Sequence, residues 1–206
     1  MTPTDIAGLY AITPDWPDTA RLLTACNAAM AGGALVLQYR NKTASPARRL
    51  EQALGLSAIC RASGCTFIIN DDVDLALEVD ADGAHLGKTD GDIARARKRL
   101  GPNRRLGASC YDRLELAHLA LAAGADHVAF GSVFPSSTKP GAVRAGFDLF
   151  GRARILNVPL VAIGGITADN AAPLIAAGAS ALAVVSDLFE APDVGARARR
   201  FAALFA

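Results

Sequence analysis

Several segments of this chain end in residues that could bind or transfer a charged group. Gln38, Tyr39, Arg40, Asn41 and Lys42 close the run ALVLQYRNK, Asn70 and Asp71 close TFIIND, and Asp90 follows GAHLGKT. Ser109 closes RLGAS; Ser136, Ser137, Thr138 and Lys139 close HVAFGSVFPSSTK; Gly165 lies in AIGGIT, and Val185 and Ser186 in AVVSD. Brought to one mouth, the cations Arg40, Lys42 and Lys139 suit a polyanion such as a diphosphate, Arg as a planar fork and Lys as a point charge. The carboxylates Asp71 and Asp90 would oppose such an anion unless a hard cation stood between them. Mg²⁺ is commonly held in that way, by one or two carboxylates, substrate oxygens and water. A second anion site is suggested by AIGGIT and VVSD, where glycine lets backbone N–H groups approach a monophosphate closely. No Cys/His or Ser/His/Asp arrangement accompanies these residues, so no protein nucleophile is expected.

Such an array needs elements that deliver many loops to one place. Short apolar, β-branched runs alternate with Ala-, Leu- and Arg-rich stretches of helical period. The runs GLYAIT, ALVLQYR, TFIIN, GAHL, RLGAS, HVAFG, PLVAIG and ALAVVS predict strands at 8–13, 34–40, 66–70, 83–86, 105–109, 127–131, 159–164 and 181–186. Helices are expected near 18–31, 46–63, 72–79, 91–100, 112–123, 146–156, 168–177 and 192–205. Glycines in MAGGA, RASGC, AAGAD and AAGAS end helices just before the next strand. Strands apolar almost throughout imply a parallel sheet covered on both faces. An α/β fold, a (β/α)8 TIM barrel formed by one domain over residues 1–206, satisfies this best. A doubly wound open sheet would normally show an early GxGxxG turn, and none is present. In a barrel, the loops after the strand C-termini open on one face, and these are the positions of the polar residues above.

Composition narrows the function classes. The chain has 206 residues, 51% of them hydrophobic, which suffices for a large core. Its 21 Lys and Arg nearly balance 20 acidic residues, so a nucleic-acid footprint is not expected. No apolar run approaches the roughly 20 residues of a bilayer span, and no membrane role is expected. Cys26, Cys60, Cys65 and Cys110 form no CxxC pair, and MTPTDIAGLY lacks a basic segment followed by a long apolar one. These features predict a cytoplasmic protein with reduced thiols.

The segments LQYRNK (37–42), IINDDVDLAL (68–77), GAHLGKTD (83–90), LGAS (106–109), FGSVFPSSTKPG (130–141), AIGGIT (162–167) and AVVSDLF (183–189) together resemble the thiamine-phosphate synthase family, in order and over nearly the whole chain. The resemblance implies a transferase of thiamine biosynthesis with two small phosphorylated substrates. It would join 4-amino-2-methyl-5-hydroxymethylpyrimidine diphosphate to 4-methyl-5-(2-phosphoethyl)thiazole, releasing pyrophosphate with Mg²⁺ bound. By matching motif, Gln38, Tyr39, Arg40, Asn41, Lys42, Asn70, Ser109 and Lys139 would bind the pyrimidine diphosphate. Arg40, Lys42, Ser109 and Lys139 among them would serve catalysis, and Asp71 and Asp90 would hold Mg²⁺. Ser136, Ser137, Thr138, Gly165, Val185 and Ser186 would receive the thiazole phosphate. The chain departs from the family pattern at Asp72, Lys88 and Thr89, and at Ser136 and Ser137, where Thr and Pro are frequent.

Two other functions fit parts of the pattern. A thiazole tautomerase of the same superfamily would lack the Asp of the strand 3 motif and carry His after the strand 5 Ser; this chain has Asp71, Cys110 and Tyr111. A non-catalytic barrel binding thiamin precursors would have lost its carboxylates or Lys139. Other residues have plainer readings. Asp72 reads as the cap of VDLALEV, His85 as packing at a strand end, and His118 and His127 as structural or solvated. Cys110 reads as a small apolar filler and RARKR (95–99) as a solvated helix face. Tyr39 and Asn41 alternate with Gln38, Arg40 and Lys42, so the two sets face opposite ways.

Overall fold

The computed structural model describes residues 6–87, 91–135 and 144–206. Eight parallel strands close into a barrel in sequence order: β1 (Gly8–Ile12), β2 (Ala34–Tyr39), β3 (Thr66–Asn70), β4 (Gly83–Leu86), β5 (Arg105–Tyr111), β6 (His127–Gly131), β7 (Leu160–Ile163) and β8 (Ala181–Val184). Between them run α1 (Thr19–Ala31), α2 (Pro46–Ser63), α3 (Val73–Glu78), α4 (Ile93–Leu100), α5 (Leu114–Ala122), α6 (Asp148–Ala153) and α7 (Ala172–Ala177). Then α8 (Ser186–Phe189) and α9 (Val194–Ala202) follow β8.

The strands divide their residues between two cores with a period of two. Tyr10, Ile12, Val36, Ile68, Ala129, Val161, Ala181 and Ala183 fill the barrel. Their neighbours Leu9, Leu37, Phe67, Ile69, Leu106, Val128, Phe130, Leu160 and Leu182 pack outward under the helices. Burial on both faces is why these strands read as continuous apolar runs.

Helix starts follow local chemistry. Asp18, Ser45, Asp72, Asp92 and Asp193 each accept the backbone N–H three residues on, so the capping role read for Asp72 holds. Gly64, Gly124 and Gly178 have positive φ at the helix-to-strand turns. Most boundaries shift from expectation by a residue or more, and three of the shifts have a local cause. Strand β8 stops at Val184, because Ser186 opens the separate short helix α8, closed by Glu190 N–H donating to the Ser186 carbonyl. The helix expected from residue 168 starts at Ala172, with Pro173 in its first turn, after a turn in which Thr167 and Asn170 bond each other. Strand β5 runs on to Tyr111 through a register shift after Ser109.

The RARKR run is not uniformly solvated. Arg97, only 20% exposed, donates from Nε to the Gly124 carbonyl at 2.9 Å and from Nη1 to the Gly101 and Arg104 carbonyls at 2.7 Å each. It also pairs with Asp126, whose Oδ2 accepts the Leu106 N–H at 2.7 Å. This clamp ties α4 to the N-terminal ends of β5 and β6, the stability face of a barrel. Arg97→Ala is expected to cost about 2 kcal/mol, since each carbonyl bond contributes roughly 0.5–1.5 kcal/mol. In thermal denaturation the midpoint should drop by roughly 4–8 °C, and an unchanged midpoint would remove the clamp from the stability account.

Among the described residues no helix is long and apolar enough to cross a membrane. All four cysteines are free and buried.

Candidate active site

The first three loops at the C-terminal end of the barrel are tied together through charge. Thr13, just past β1 and fully buried, receives the Arg40 N–H on Oγ1 at 2.8 Å and donates to the Arg40 carbonyl at 2.9 Å. Asp15 accepts from Arg40 Nη1 at 3.2 Å on each oxygen and from the Lys42 N–H at 2.9 Å. Lys42 Nζ in turn stands 3.0 Å from Asp71 Oδ2, just past β3. A cation pair and a carboxylate expected to share the mouth are therefore within one chain of contacts. Thr13 and Asp15 were not singled out from sequence. Their signal was a hydroxyl and an acid at the end of the first strand, in TPDWPD.

Period two separates the remaining members of the β2 segment. Tyr39 points outward, 1% exposed, and donates to Gln52 Oε1 at 2.9 Å. Asn41 donates to Gln52 Oε1 at 3.1 Å and to the Trp16 carbonyl at 3.3 Å, while its Oδ1 accepts the Thr43 and Ala44 N–H groups. Both side chains thus build the wall and loop, and the structure does not bring them to the mouth with Arg40. Gln38 points inward, donating from Nε2 to the Tyr10 hydroxyl at 2.8 Å. Burial keeps that phenol far above its usual pKa and hence neutral.

Asp71 adopts φ 64°, a left-handed conformation that Asp tolerates better than most residues, and its N–H donates to the His85 carbonyl at 2.8 Å. Asp72 is turned away from it: one oxygen caps α3 and the other pairs with Arg49 at 3.0 Å. Asn70 ends β3 beside His85 in register. Lys88, Thr89, Asp90, Ser136, Ser137, Thr138 and Lys139 lie outside the described residues.

Beneath the mouth, polar side chains continue into the barrel. His85 Nε2 lies 3.0 Å from Ser109 Oγ on the adjacent strand, so His85 does more than pack at a strand end. Its ring centroid is 5.7 Å from that of His127, which is 6.5 Å from that of Tyr10. His127 is completely buried, and neither ring nitrogen has a hydrogen-bond partner among the described residues. Burial first, then His85 and Arg105, hold its imidazole well below its usual pKa. Below about pH 6.5 the unfolded chain therefore binds a proton that the native form does not. Stability contributed by neutral His127 is complete above that pH and falls as the pH is lowered, by up to about 1.4 kcal/mol per unit. His127→Leu is expected to flatten the decline in urea midpoint between about pH 6.5 and pH 5; an unaltered slope would assign the acid sensitivity to other groups.

The β7 and β8 loops form a separate, glycine-dependent junction. A Cβ on Gly164 would lie 2.1 Å from Ser132 Oγ, and one on Gly165, at φ 65°, would lie 2.2 Å from the Pro135 carbonyl oxygen. Only glycine lets the chain after β6 lie against β7 here. Asn170 donates to the Gly165 carbonyl at 3.0 Å, and Asp187 accepts the Ala168 N–H at 3.1 Å while pairing with Arg197. These bonds hold Gly165 close to the turn that carries Val185 and Ser186, both part-exposed. Asp187 is another residue whose role was not read from sequence. Asp169, beside this turn, pairs with Arg200 at 2.6 Å.

Among the described residues, the arrangement offers binding and electrostatic stabilisation. Burial pushes the Cys110 thiol up to about 12, which leaves it without nucleophilic character at neutral pH. Among the described residues no three His, Cys, Asp or Glu side chains converge in a way that could hold a metal ion. Among the described residues, Asp71 alone would thus not hold a cation, and further oxygens would have to complete its shell.

The thiamine monophosphate synthase family model matches residues 9–188. The chain is 57% identical to the thiamine-phosphate synthase of Aromatoleum aromaticum over 206 residues, covering 100% of this chain and 99% of that one. It is 58% identical over 200 residues to the thiamine-phosphate synthase of Methylobacillus flagellatus, covering 97% and 96% of the two chains. Among solved structures, thiamine phosphate pyrophosphorylase from Pyrococcus furiosus superposes with a TM-score of 0.86 at 34% identity, covering 96% of this chain and 95% of that one. With eight parallel strands closed around a polar mouth and matches of this extent, the chain belongs to the thiamine monophosphate synthase family and is a transferase of thiamine biosynthesis.

Proposed function

We propose that the barrel, as a single functional unit over residues 1–206, condenses 4-amino-2-methyl-5-hydroxymethylpyrimidine diphosphate with 4-methyl-5-(2-phosphoethyl)thiazole to give thiamine phosphate and pyrophosphate. The observation that carries this reading is the linked set Asp15–Arg40–Lys42–Asp71, with Lys42 Nζ 3.0 Å from Asp71 Oδ2. Cations and a carboxylate held together at a barrel mouth suit a diphosphate that arrives with a divalent cation.

Arg40, Lys42 and Lys139 bind the diphosphate and stabilise the charge that develops on departing pyrophosphate. Gln38, Asn70 and Ser109 hold the pyrimidine side, with Tyr39 and Asn41 supporting the loop from behind. The pyrimidine methylene carbon gains cationic character as its C–O bond to the diphosphate breaks, and the 4-amino group of the ring delocalises it. The thiazole nitrogen then forms the new C–N bond, so the protein orients the two rings rather than supplying a nucleophile. Ser136, Ser137, Thr138, Gly165, Val185 and Ser186 receive the thiazole phosphate; the Asn170 and Asp187 bonds fix the backbone on the Gly165 side.

The residues present fit Mg²⁺: Asp71 is part-exposed at the mouth and already pairs with a cationic head, and Asp90 is the second carboxylate of the pattern. Held by Asp71 and Asp90, Mg²⁺ would supply positive charge that neutralises charge developing on the leaving group.

The test is to incubate the purified protein with both substrates, with and without Mg²⁺, and follow thiamine phosphate and pyrophosphate together. Equal, Mg²⁺-dependent formation of the two products is the expected result. Binding of the pyrimidine diphosphate with no product would leave a barrel that binds precursors without condensing them.

A further inference from the structure

Ser109 and His85 stand side by side on β5 and β4, with Ser109 Oγ 3.0 Å from His85 Nε2. A serine hydroxyl has one proton and two lone pairs and rotates to suit its surroundings unless a partner fixes it. The imidazole takes one of those directions and thereby sets where the others point. For this to orient the hydroxyl, the ring itself must be immobile. His85 is 7% exposed, and its carbonyl is tied to the Asp71 N–H at 2.8 Å. The ring edge bearing Nδ1 lies over Gly107: a Cβ there would stand 2.3 Å from His85 Nδ1 and 2.3 Å from His127 Nε2. Gly107 therefore makes the space in which two imidazoles pack 5.7 Å apart, centroid to centroid, with Tyr10 beyond them.

We propose that His85 is a positioning residue for the condensation: gripped between β5 and the buried His127, it fixes the direction of the Ser109 hydroxyl toward the pyrimidine diphosphate. This rests on the reading above that Ser109 touches that substrate. His85 acts through Ser109 and does not itself contact reacting atoms. It also couples the two sides of the pyrimidine site, since the same residue anchors the Asp71 backbone and orients Ser109.

The experiment is a double-mutant cycle on the full-length protein, read by steady-state kinetics for each substrate. His85→Leu keeps an apolar body and loses the bond; His85→Gln places an amide where Nε2 was. His85→Leu is expected to lower kcat/KM for the pyrimidine diphosphate about tenfold, leaving the KM for the thiazole phosphate within about twofold. His85→Gln should restore most of the loss. In the Ser109→Ala background His85→Leu should have no further effect, because the group it positions is gone. An equal loss in both backgrounds, failure of His85→Gln to rescue, or a matching rise in both KM values would overturn the proposal and leave His85 a packing residue. If Ser109→Ala alone leaves pyrimidine kinetics unchanged, the role given to Ser109 falls, and the positioning role with it. A Ser109→Ala loss combined with an additive His85→Leu loss sinks only the latter. Should His85→Leu fail to fold, Gly107→Ala serves instead: it displaces the ring with His85 and Ser109 chemically intact, and must give the same substrate-specific loss, abolished by Ser109→Ala.

Discussion

Replacing Arg40 by Met is expected to lower kcat/KM for the pyrimidine diphosphate by about 10²–10³-fold, the usual cost of removing a preorganised donor from a developing anion. Met keeps the unbranched body of the side chain and removes the guanidinium fork. In the proposed role, Arg40 would meet the anion already oriented, because its backbone is pinned by Thr13 on both sides and its Nη1 rests on Asp15. Among the described residues the fork meets Asp15 through that one nitrogen, so the other edge would be the one to face a ligand. Arg40→Lys should recover only part of the loss, because a point charge replaces charge but not planar geometry. Asp15 supplies a control with opposite expectations. If only net charge at the mouth mattered, Asp15→Ala would tighten anion binding. Because Asp15 holds both Arg40 and the Lys42 N–H, we expect a loss of about tenfold instead, as is common when a group that orients a ligand-binding residue is removed. Tighter binding by Asp15→Ala would show that its carboxylate merely dampens the field.

The barrel was legible because each strand is buried on both faces, so local apolar runs, helix caps and terminal glycines agree with one another. The position of the mouth was legible for the same reason, since polar residues such as Arg40, Asn70 and Ser109 stand at the downstream ends of those runs. Period two also foretold that Tyr39 and Asn41 part from Gln38 and Arg40. Less was legible where the partner comes from another strand or helix. Nothing local to Gly107 announces that its missing Cβ admits two imidazoles from β4 and β6, because that depends on the register between strands. Arg97 sits in a basic run whose neighbours are solvated; only the closing of the barrel brings Gly124 and Asp126 to it. The break between β8 and α8 was hidden because Val184, Val185 and Ser186 continue the strand-like composition. Asp15 escaped notice because its role appears only when the β1 and β2 loops meet.

Asp71→Asn should lower kcat by about 10²-fold at millimolar Mg²⁺, with part of the activity returning as Mg²⁺ is raised, since a lost carboxylate ligand weakens the hold on a hard cation. The choice of Asn matters. At φ 64° most residues are strained, and an L-residue without a short polar side chain loses roughly 1–2 kcal/mol in this region, whereas Asn and Asp visit it readily. Asp71→Asn therefore changes charge with little change of backbone, while Asp71→Ala changes both. The Lys42 contact does not upset this comparison, because Lys42 is 52% exposed and such pairs contribute only about 0–1 kcal/mol. Equal kinetic losses are expected for the two variants, with a lower melting temperature for Asp71→Ala alone, by roughly 2–8 °C. The Mg²⁺ titration separates two roles for the carboxylate. Recovery at high Mg²⁺ assigns Asp71 to the metal. A loss of the same size that Mg²⁺ does not relieve assigns it to holding Lys42 in place, and Lys42→Met should then cost as much alone as it does combined with Asp71→Asn.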